Sequence, residues 1–371
     1  MEIKENVFDL MYEPLAGSSL KNLSRLVLQN KLRIDVRYVP RMIYATAIST
    51  IMAPFRIKES IKFNKKIKQI KITNPPLFII GHWRSGTTYL HNMLTHDKNF
   101  GYCTTFQTTT PSVFLGSEKT IKPLVAASIP DKRPMDNADL GADLPQEEEY
   151  GLGALLPYAY YNGWCFPNNM KYYNKFVCMN DVPQSVIEEW MDTYLYFLKK
   201  VTLYRNGTRL TMKNPANTAR IKILLEMFPN AQFVNIYRNP YSIYFSMLKF
   251  MRIVIARYCV QKPPKMEEME GHMIDLYVDL YKKYLKEKKL IPNGNLVEIK
   301  YENFIQNPVS EMEKIYATLN LDGFDKSEKT LKKYAESQKN FRVSSYKMDD
   351  TVKEKIYKEW EFAFKEFGYE K

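Results

Sequence analysis

The spacing of apolar residues changes abruptly at Pro75-Pro76. Beyond it, residues 77–80 form a continuous apolar run closed by Gly81, the pattern of a buried strand. Residues 87–94 then place Leu90, Met93 and Leu94 at helical spacing. Strand-like runs recur at 209–213, 232–237 and 296–300, with helical patterns at 186–200, 220–228 and 273–288. Strands that alternate with helices predict an α/β fold with a mainly parallel sheet, whose ligands bind beyond the C-terminal ends of the strands. Ahead of the two prolines the pattern is helical. Leu20, Leu23, Leu26, Val27 and Leu28 read as one side of a helix, and residues 38–68 mix apolar with basic positions. No internal repeat or low-complexity linker divides the chain. The expected organisation is a basic helical N-terminal extension, residues 1–74, packed on an α/β body, residues 75–371.

Composition agrees with a large globular core: 371 residues, 45% of them apolar and 14% aromatic. Disordered, collagenous and small disulfide-stapled classes are excluded. Cys103, Cys165, Cys178 and Cys259 form no CxxC pair, so neither a zinc site nor a disulfide framework is expected. Lys and Arg outnumber Asp and Glu by 54 to 41, a formal charge of +13. Residues 1–75 hold fourteen of those cations and six carboxylates, a net +8. By itself the charge admits nucleic acid, anionic lipid or a small anionic ligand. The basic segment accordingly has three readings: a solvated face packed on the body, a cover for a lipophilic site, or a foothold on an anionic membrane surface. The acidic opening MEIKENVFDL lacks the order of a signal peptide, and residues 42–55 are too few to span a bilayer. A cytoplasmic protein, with any membrane contact peripheral to the inner face, is expected.

Chemistry gathers first after the 77–80 strand, in Gly81-His82-Trp83-Arg84-Ser85-Gly86-Thr87-Thr88. A Gly-permitted turn between strand and helix aims backbone N–H groups at one point, and the helix N-terminus adds partial positive charge. Arg84, Ser85, Gly86, Thr87 and Thr88 thus form a candidate phosphate cradle of cation, turn and hydroxyls. The run nearly matches G-x-x-x-x-G-K-[ST], but Thr87 stands where that motif has lysine. A P-loop kinase or NTPase loses its main phosphate cation by that change, and a phosphate-bearing cofactor handled without a metal fits better.

These residues resemble the PAPS-dependent sulfotransferases, in the Arg-Ser-Gly-Thr-Thr form typical of bacterial and carbohydrate-type members. The resemblance covers roughly residues 75–310 and implies a P-loop-like three-layer sandwich. It makes Arg84 to Thr88 the 5′-phosphosulfate loop and puts Tyr89 where cytosolic members have an adenine-stacking tryptophan. The family's 3′-phosphate motif, an Arg at a strand end and a Ser eight positions on, is met by Arg238 and Ser246. Lys213, ending the 209–213 run, inherits contact with the transferring sulfuryl group. Arg342 stands where the family's C-terminal element closes on the nucleotide, without the Arg-Lys-Gly of cytosolic enzymes. The Tyr301-Glu302 turn after the last strand matches a family segment and reads as structural. The cofactor implied is PAPS, its product adenosine 3′,5′-bisphosphate, with no metal.

Sulfuryl transfer also needs a base. Cytosolic members carry a His two residues past the strand-end lysine; here that residue is Pro215. The acidic run 143–150 resembles the Pro-x-Glu-Asp-Glu segment of the bacterial branch, with Pro145 placed like a first helical residue. Glu147 is the first choice for the base and Glu148 the second. His91 is a rival, and His82 a further phosphate contact. Tyr150, Tyr158, Tyr160, Tyr161, Trp164 and Phe166 suit an apolar acceptor with one hydroxyl, such as a sterol or other lipid alcohol. They equally suit sugar stacking, as in a carbohydrate sulfotransferase, or a plain core. A small-molecule acceptor and no nucleic acid are expected; a basic lipid- or nucleic-acid-binding protein is the non-enzymatic alternative. Oligomeric state is not written in any motif.

Overall fold

The computed structural model describes residues 13–339 and 349–371. Arg342 lies outside the described residues. The chain divides into two compact units. The second comprises Asn74–Gly101, Thr208–Lys249 and the described part of Glu270–Lys371. It contains a five-stranded, wholly parallel sheet in the order β2-β3-β1-β4-β5.

Four strands lie at the apolar runs: β1 Leu77–Ile80, β3 Arg209–Lys213, β4 Gln232–Tyr237 and β5 Leu296–Lys300. Strand β2, Phe100–Gly101, has two residues, too few for any periodicity to reveal. All four residues of β1 are buried, as a central parallel strand covered on both faces requires. On one face the alternate residues Leu77, Ile79, Val234, Ile236, Val297 and Ile299 share a core. Leu90, Met93 and Leu94 of the helix Thr87–Thr95 complete it, together with residues from the later helices Tyr301–Gln306, Pro308–Thr318 and Phe324–Ser337. On the other face Phe78 meets Phe233 and Phe228, with ring centroids 5.6 and 6.2 Å apart. The chain goes from β1 to β2 and β3 on one side before it crosses to β4 and β5 on the other. Strand β1 therefore stands at the topological switch point, where open α/β sheets bind ligands.

The first unit joins the described residues up to Thr73 with Tyr102–Gly207 and Phe250–Met269, and is helical. The basic N-terminal segment is thus part of a larger helical unit. In helix Leu20–Gln29, Leu23 and Leu26 are buried, whereas Leu20 and Leu28 are exposed. The expected single stripe fails because Leu28 lies two residues past Leu26, about 200° round the helix.

Two ion pairs lie deep in this unit, Arg41–Glu13 and Lys200–Glu59. Lys200 also donates to the Pro111 carbonyl, and Glu59 accepts from the Gly116 N–H at 2.8 Å. Burial pulls the Lys200 ammonium down, and Glu59 opposes that shift. Removing one partner of such a pair strands the other charge, at a cost of about 3–5 kcal/mol. Lys200→Ala is expected to lose that much in urea denaturation, and the double variant Glu59→Leu/Lys200→Met to recover most of it.

Candidate active site

The loop after β1 is shaped by close backbone approaches. Gly81 has φ +134°, and a Cβ there would lie 2.2 Å from the Ile236 carbonyl oxygen. Gly86 has φ +102°, and a Cβ there would lie 2.4 Å from the Tyr301 ring. Only glycine meets both demands at either position. Between them Arg84 also adopts a left-handed backbone, φ 72°, which costs a non-glycine residue about 1–2 kcal/mol. Gly86 caps helix Thr87–Thr95, whose first-turn N–H groups have no carbonyl four residues back. The Gly81 N–H donates to Thr218 Oγ1 at 2.8 Å, fastening the loop to the turn after β3.

Three cations arrive from three strand ends. Arg84 Nε donates to Ser246 Oγ at 2.9 Å, and Arg238 donates to the Arg84 carbonyl at 2.9 Å. The Arg238 guanidinium also sits 4.3 Å from the centre of the Tyr301 ring. Lys213 Nζ is 3.4 Å from Thr88 Oγ1 and buried. Arg84, Thr88, Lys213, Arg238 and Ser246 are thus brought together, with Arg84 linking Arg238 to Ser246. Ser85 Oγ is fully buried and bonds to no protein atom among the described residues.

Residues 75–326 match the profile of the sulfotransferase family. The chain belongs to that family. Its similarity to two omega-hydroxy-beta-dihydromenaquinone-9 sulfotransferases Stf3, of Mycobacterium bovis and Mycobacterium tuberculosis, is 28% identity over 358 residues. That span is 96% of this chain and 91% of theirs. Among solved structures, sulfotransferase STF1 of Mycobacterium tuberculosis H37Rv gives a TM-score of 0.65 at 14% identity, covering 92% of this chain and 91% of that one. STF9 of Mycobacterium avium gives 0.65 at 14%, covering 95% and 97%. These two likenesses establish the α/β sulfotransferase fold.

The donor implied for a sulfotransferase is PAPS. The loop fits its anionic groups: a buried Ser85 hydroxyl with no hydrogen-bond partner among the described residues lies in a glycine-shaped turn that carries Arg84 and that Lys213 and Arg238 meet at Thr88 and the Arg84 carbonyl. Tyr89, half-buried, packs its ring 5.0 Å from Phe304 and 6.0 Å from Tyr334. Burial raises its phenol to about 12.

Two residues carry more of the site than their sequence context suggested. Tyr301 is the surface on which Gly86 and Arg238 rest, and Thr218 anchors Gly81. A glycine forced to meet a ring leaves no trace in sequence spacing. Pro215 opens a 3₁₀ turn, Pro215–Ala219, capped by the Asn214 side chain through Ala216 N–H at 3.0 Å. Asn239 similarly accepts from Ser242 N–H at 3.2 Å at the start of helix Pro240–Tyr258.

The glutamates belong to the first unit. Helix Glu148–Leu155 starts at Glu148 with Glu147 as its N-cap residue. Pro145 is therefore not the first helical residue; it lies two residues before the cap and bridges Thr104. Glu147 accepts from the Tyr161 hydroxyl, and the fully buried Glu148 accepts from Tyr194 Oη at 2.8 Å. Tyr161 stacks on Trp164 at 3.8 Å and meets Tyr150 edge-on at 4.7 Å. Tyr160, Trp164 and Phe166 are core residues, each 1% exposed or less.

Both loop-side histidines are buried and neutral. His82 donates from Nδ1 to the Trp83 carbonyl at 2.9 Å and packs against Tyr277 and Tyr281. Burial pushes it down to about 4. His91 falls to about 3, through burial first and the nearby Lys213 second. An unfolded histidine takes up its proton near pH 6.5, which the fold refuses until about 4 or 3. Their contribution is complete above pH 6.5 and is lost progressively as pH falls from there to the folded values. Urea denaturation at neutral pH and at about pH 5 should differ by about 2 kcal/mol per histidine. His82→Asn is expected to remove its half of that slope.

Proposed function

We propose that this sulfotransferase moves a sulfuryl group from PAPS to the hydroxyl of a lipophilic alcohol. The observation that carries the donor half is the convergence of Arg84, Lys213 and Arg238, from the ends of β1, β3 and β4, on one glycine-shaped loop with a buried Ser85 hydroxyl. The acceptor half is supported by the Stf3 relatives, whose name specifies an omega-hydroxylated menaquinone lipid. By that analogy a prenylated quinone alcohol is preferred to a sterol or a sugar.

The bound donor supplies an electrophilic sulfuryl group on a phosphate leaving group. Ser85, Gly86, Thr87 and Thr88 hold its 5′ end through hydroxyls and first-turn N–H groups. Arg238 and Ser246 hold the 3′-phosphate, and Tyr89 offers its ring to the base. Arg84 and Lys213 keep fixed positive charge at the loop, and a fixed charge needs no reorganisation when negative charge grows. Lys213 has the further advantage of burial, because a cation acts more strongly away from water.

Glu147 takes the proton of the acceptor hydroxyl as the new oxygen–sulfur bond forms. Its carboxylate is oriented by the Tyr161 hydroxyl and stands beside the Tyr161–Trp164 stack. Glu148 is the second choice, since Tyr194 and full burial suit it to a structural task.

Adenosine 3′,5′-bisphosphate at one hundred times its Kd should stabilise the protein by about 2.7 kcal/mol in thermal unfolding. Arg238→Ala should remove most of that gain at the same concentration; no gain in the unsubstituted protein would overturn the donor assignment. Glu147→Gln should keep the nucleotide's effect and lower kcat about 10²–10⁴-fold. Full turnover in Glu147→Gln would pass the role to Glu148. With labelled PAPS, transfer to an omega-hydroxylated prenylquinone but not to glycans is the expected result, and transfer to glycans alone would overturn the acceptor class.

A further inference from the structure

The N-terminal part of the first unit contains a helix turned inside out. In Val39–Ile51, the residues at 39, 43, 47 and 51 form one row at four-residue spacing, and those at 41, 45 and 49 form the opposite row. The outward row is apolar: Val39 is 40% exposed, Ile43 64%, Ile51 61%, and Ala47 is exposed as well. The inward row is Arg41, Ala45 and Ser49, all buried. Arg41 is held by Glu13 at 3.1 Å and by the carbonyls of Cys259 and Arg257; Ser49 donates to the Ser18 carbonyl at 2.7 Å. Polar contacts thus fix the rotation of the helix and leave its apolar side facing out.

The following helix, Ala53–Gln69, continues the patch with charge. Ile57 is 61% exposed and Ile61 81%. Around them Lys58, Lys62, Lys65, Lys66 and Lys68 are all exposed. The helix has one carboxylate, Glu59, which is turned inward onto Lys200. Nine of the thirteen exposed large apolar side chains among the described residues fall within 20–61, so this is a patch and not scatter. None of the described helices is long and apolar enough to cross a membrane. Thirteen residues make a helix about 20 Å long, short of the roughly 30 Å hydrocarbon core.

We infer that this face docks on an anionic lipid surface, with Val39, Ile43 and Ile51 at the acyl boundary and the lysines of Ala53–Gln69 on the headgroups. An exposed apolar row beside a wholly cationic one is the composition of an interfacial helix. A second copy of the chain is the weaker occupant, because it would bring a second set of unopposed lysines against the first. A face of this kind keeps the enzyme at the phase where a lipophilic alcohol dissolves. The inference does not depend on the acceptor assignment, since its readout is binding to lipid.

The test is sedimentation of the full chain with vesicles of equimolar phosphatidylglycerol and phosphatidylcholine, against vesicles of phosphatidylcholine alone. Binding to the anionic vesicles that weakens with added salt is expected. Ile43→Glu/Ile51→Glu should weaken it about a hundredfold, from two lost aliphatic insertions. Lys58→Gln/Lys62→Gln/Lys65→Gln should cost a similar factor, at about 1 kcal/mol per lysine. Ile43→Leu/Ile51→Leu should bind like the parent. If the glutamate variant does not fold, the lysine variant and the salt titration still decide. Absence of binding, equal binding to neutral vesicles, or a self-association that Ile43→Glu abolishes without any vesicle binding would each overturn the inference.

Discussion

The close approach of Gly86 to the Tyr301 ring is the constraint on which the site depends. A methyl group at position 86 would fall 2.4 Å from that ring, and one at position 81 would fall 2.2 Å from the Ile236 carbonyl. The loop after β1 is therefore threaded between the ends of β4 and β5, and its path is set by backbone and ring contacts. Arg84 takes a left-handed conformation as a result, and its carbonyl becomes the acceptor for Arg238. Its side chain goes instead to Ser246. One turn thus decides where two guanidinium groups stand, and the Tyr301 ring that shapes the turn also carries Arg238 on its face. Strain of about 1–2 kcal/mol at Arg84 is small beside what one well-placed fixed donor contributes to a charged transition state, about 3–4 kcal/mol.

Burial then sorts the ionisable groups around the loop. His82 and His91 are neutral because an imidazolium would be desolvated, and the ammonium of Lys213 adds to that pressure on His91. The histidine beside that lysine is thereby held without a proton. The positive charge at the loop includes two guanidiniums, from Arg84 and Arg238, whose planar forked donors suit phosphate. The proton acceptor we propose is Glu147, with Glu148 second and His91 its rival.

Much of this was legible in the residues, and what was missed shares a physical cause. Strands β1, β3, β4 and β5 were visible because buried parallel strands are short apolar runs with sharp ends. The loop was visible because glycine, cation and hydroxyls coincide at a strand end. Strand β2 was not, since its two residues are held by neighbours and not by a pattern of their own. Tyr301 and Thr218 were not, because their contacts with Gly86 and Gly81 are made more than a hundred residues away in sequence. Pro145 was misplaced for a related reason: proline suits a first helical position, but the bridge to Thr104 occupies that stretch and the helix starts at Glu148.

The helix Val39–Ile51 defeats pattern reading for a deeper reason. A periodicity argument identifies two faces and then assumes that the apolar one is inside. Here the assignment is reversed by a single group. A buried guanidinium is costly unless its charge and its donors are met. Glu13 and two carbonyls meet them in this unit, and no equivalent set is supplied by the solvent side of a surface helix. Once Arg41 is fixed inward, the four-residue row on the far side has no choice but to face out. The ion pair is weak evidence for stability, since apolar residues of similar volume could fill its place. Its effect is rotational: it selects which face of the helix stays exposed.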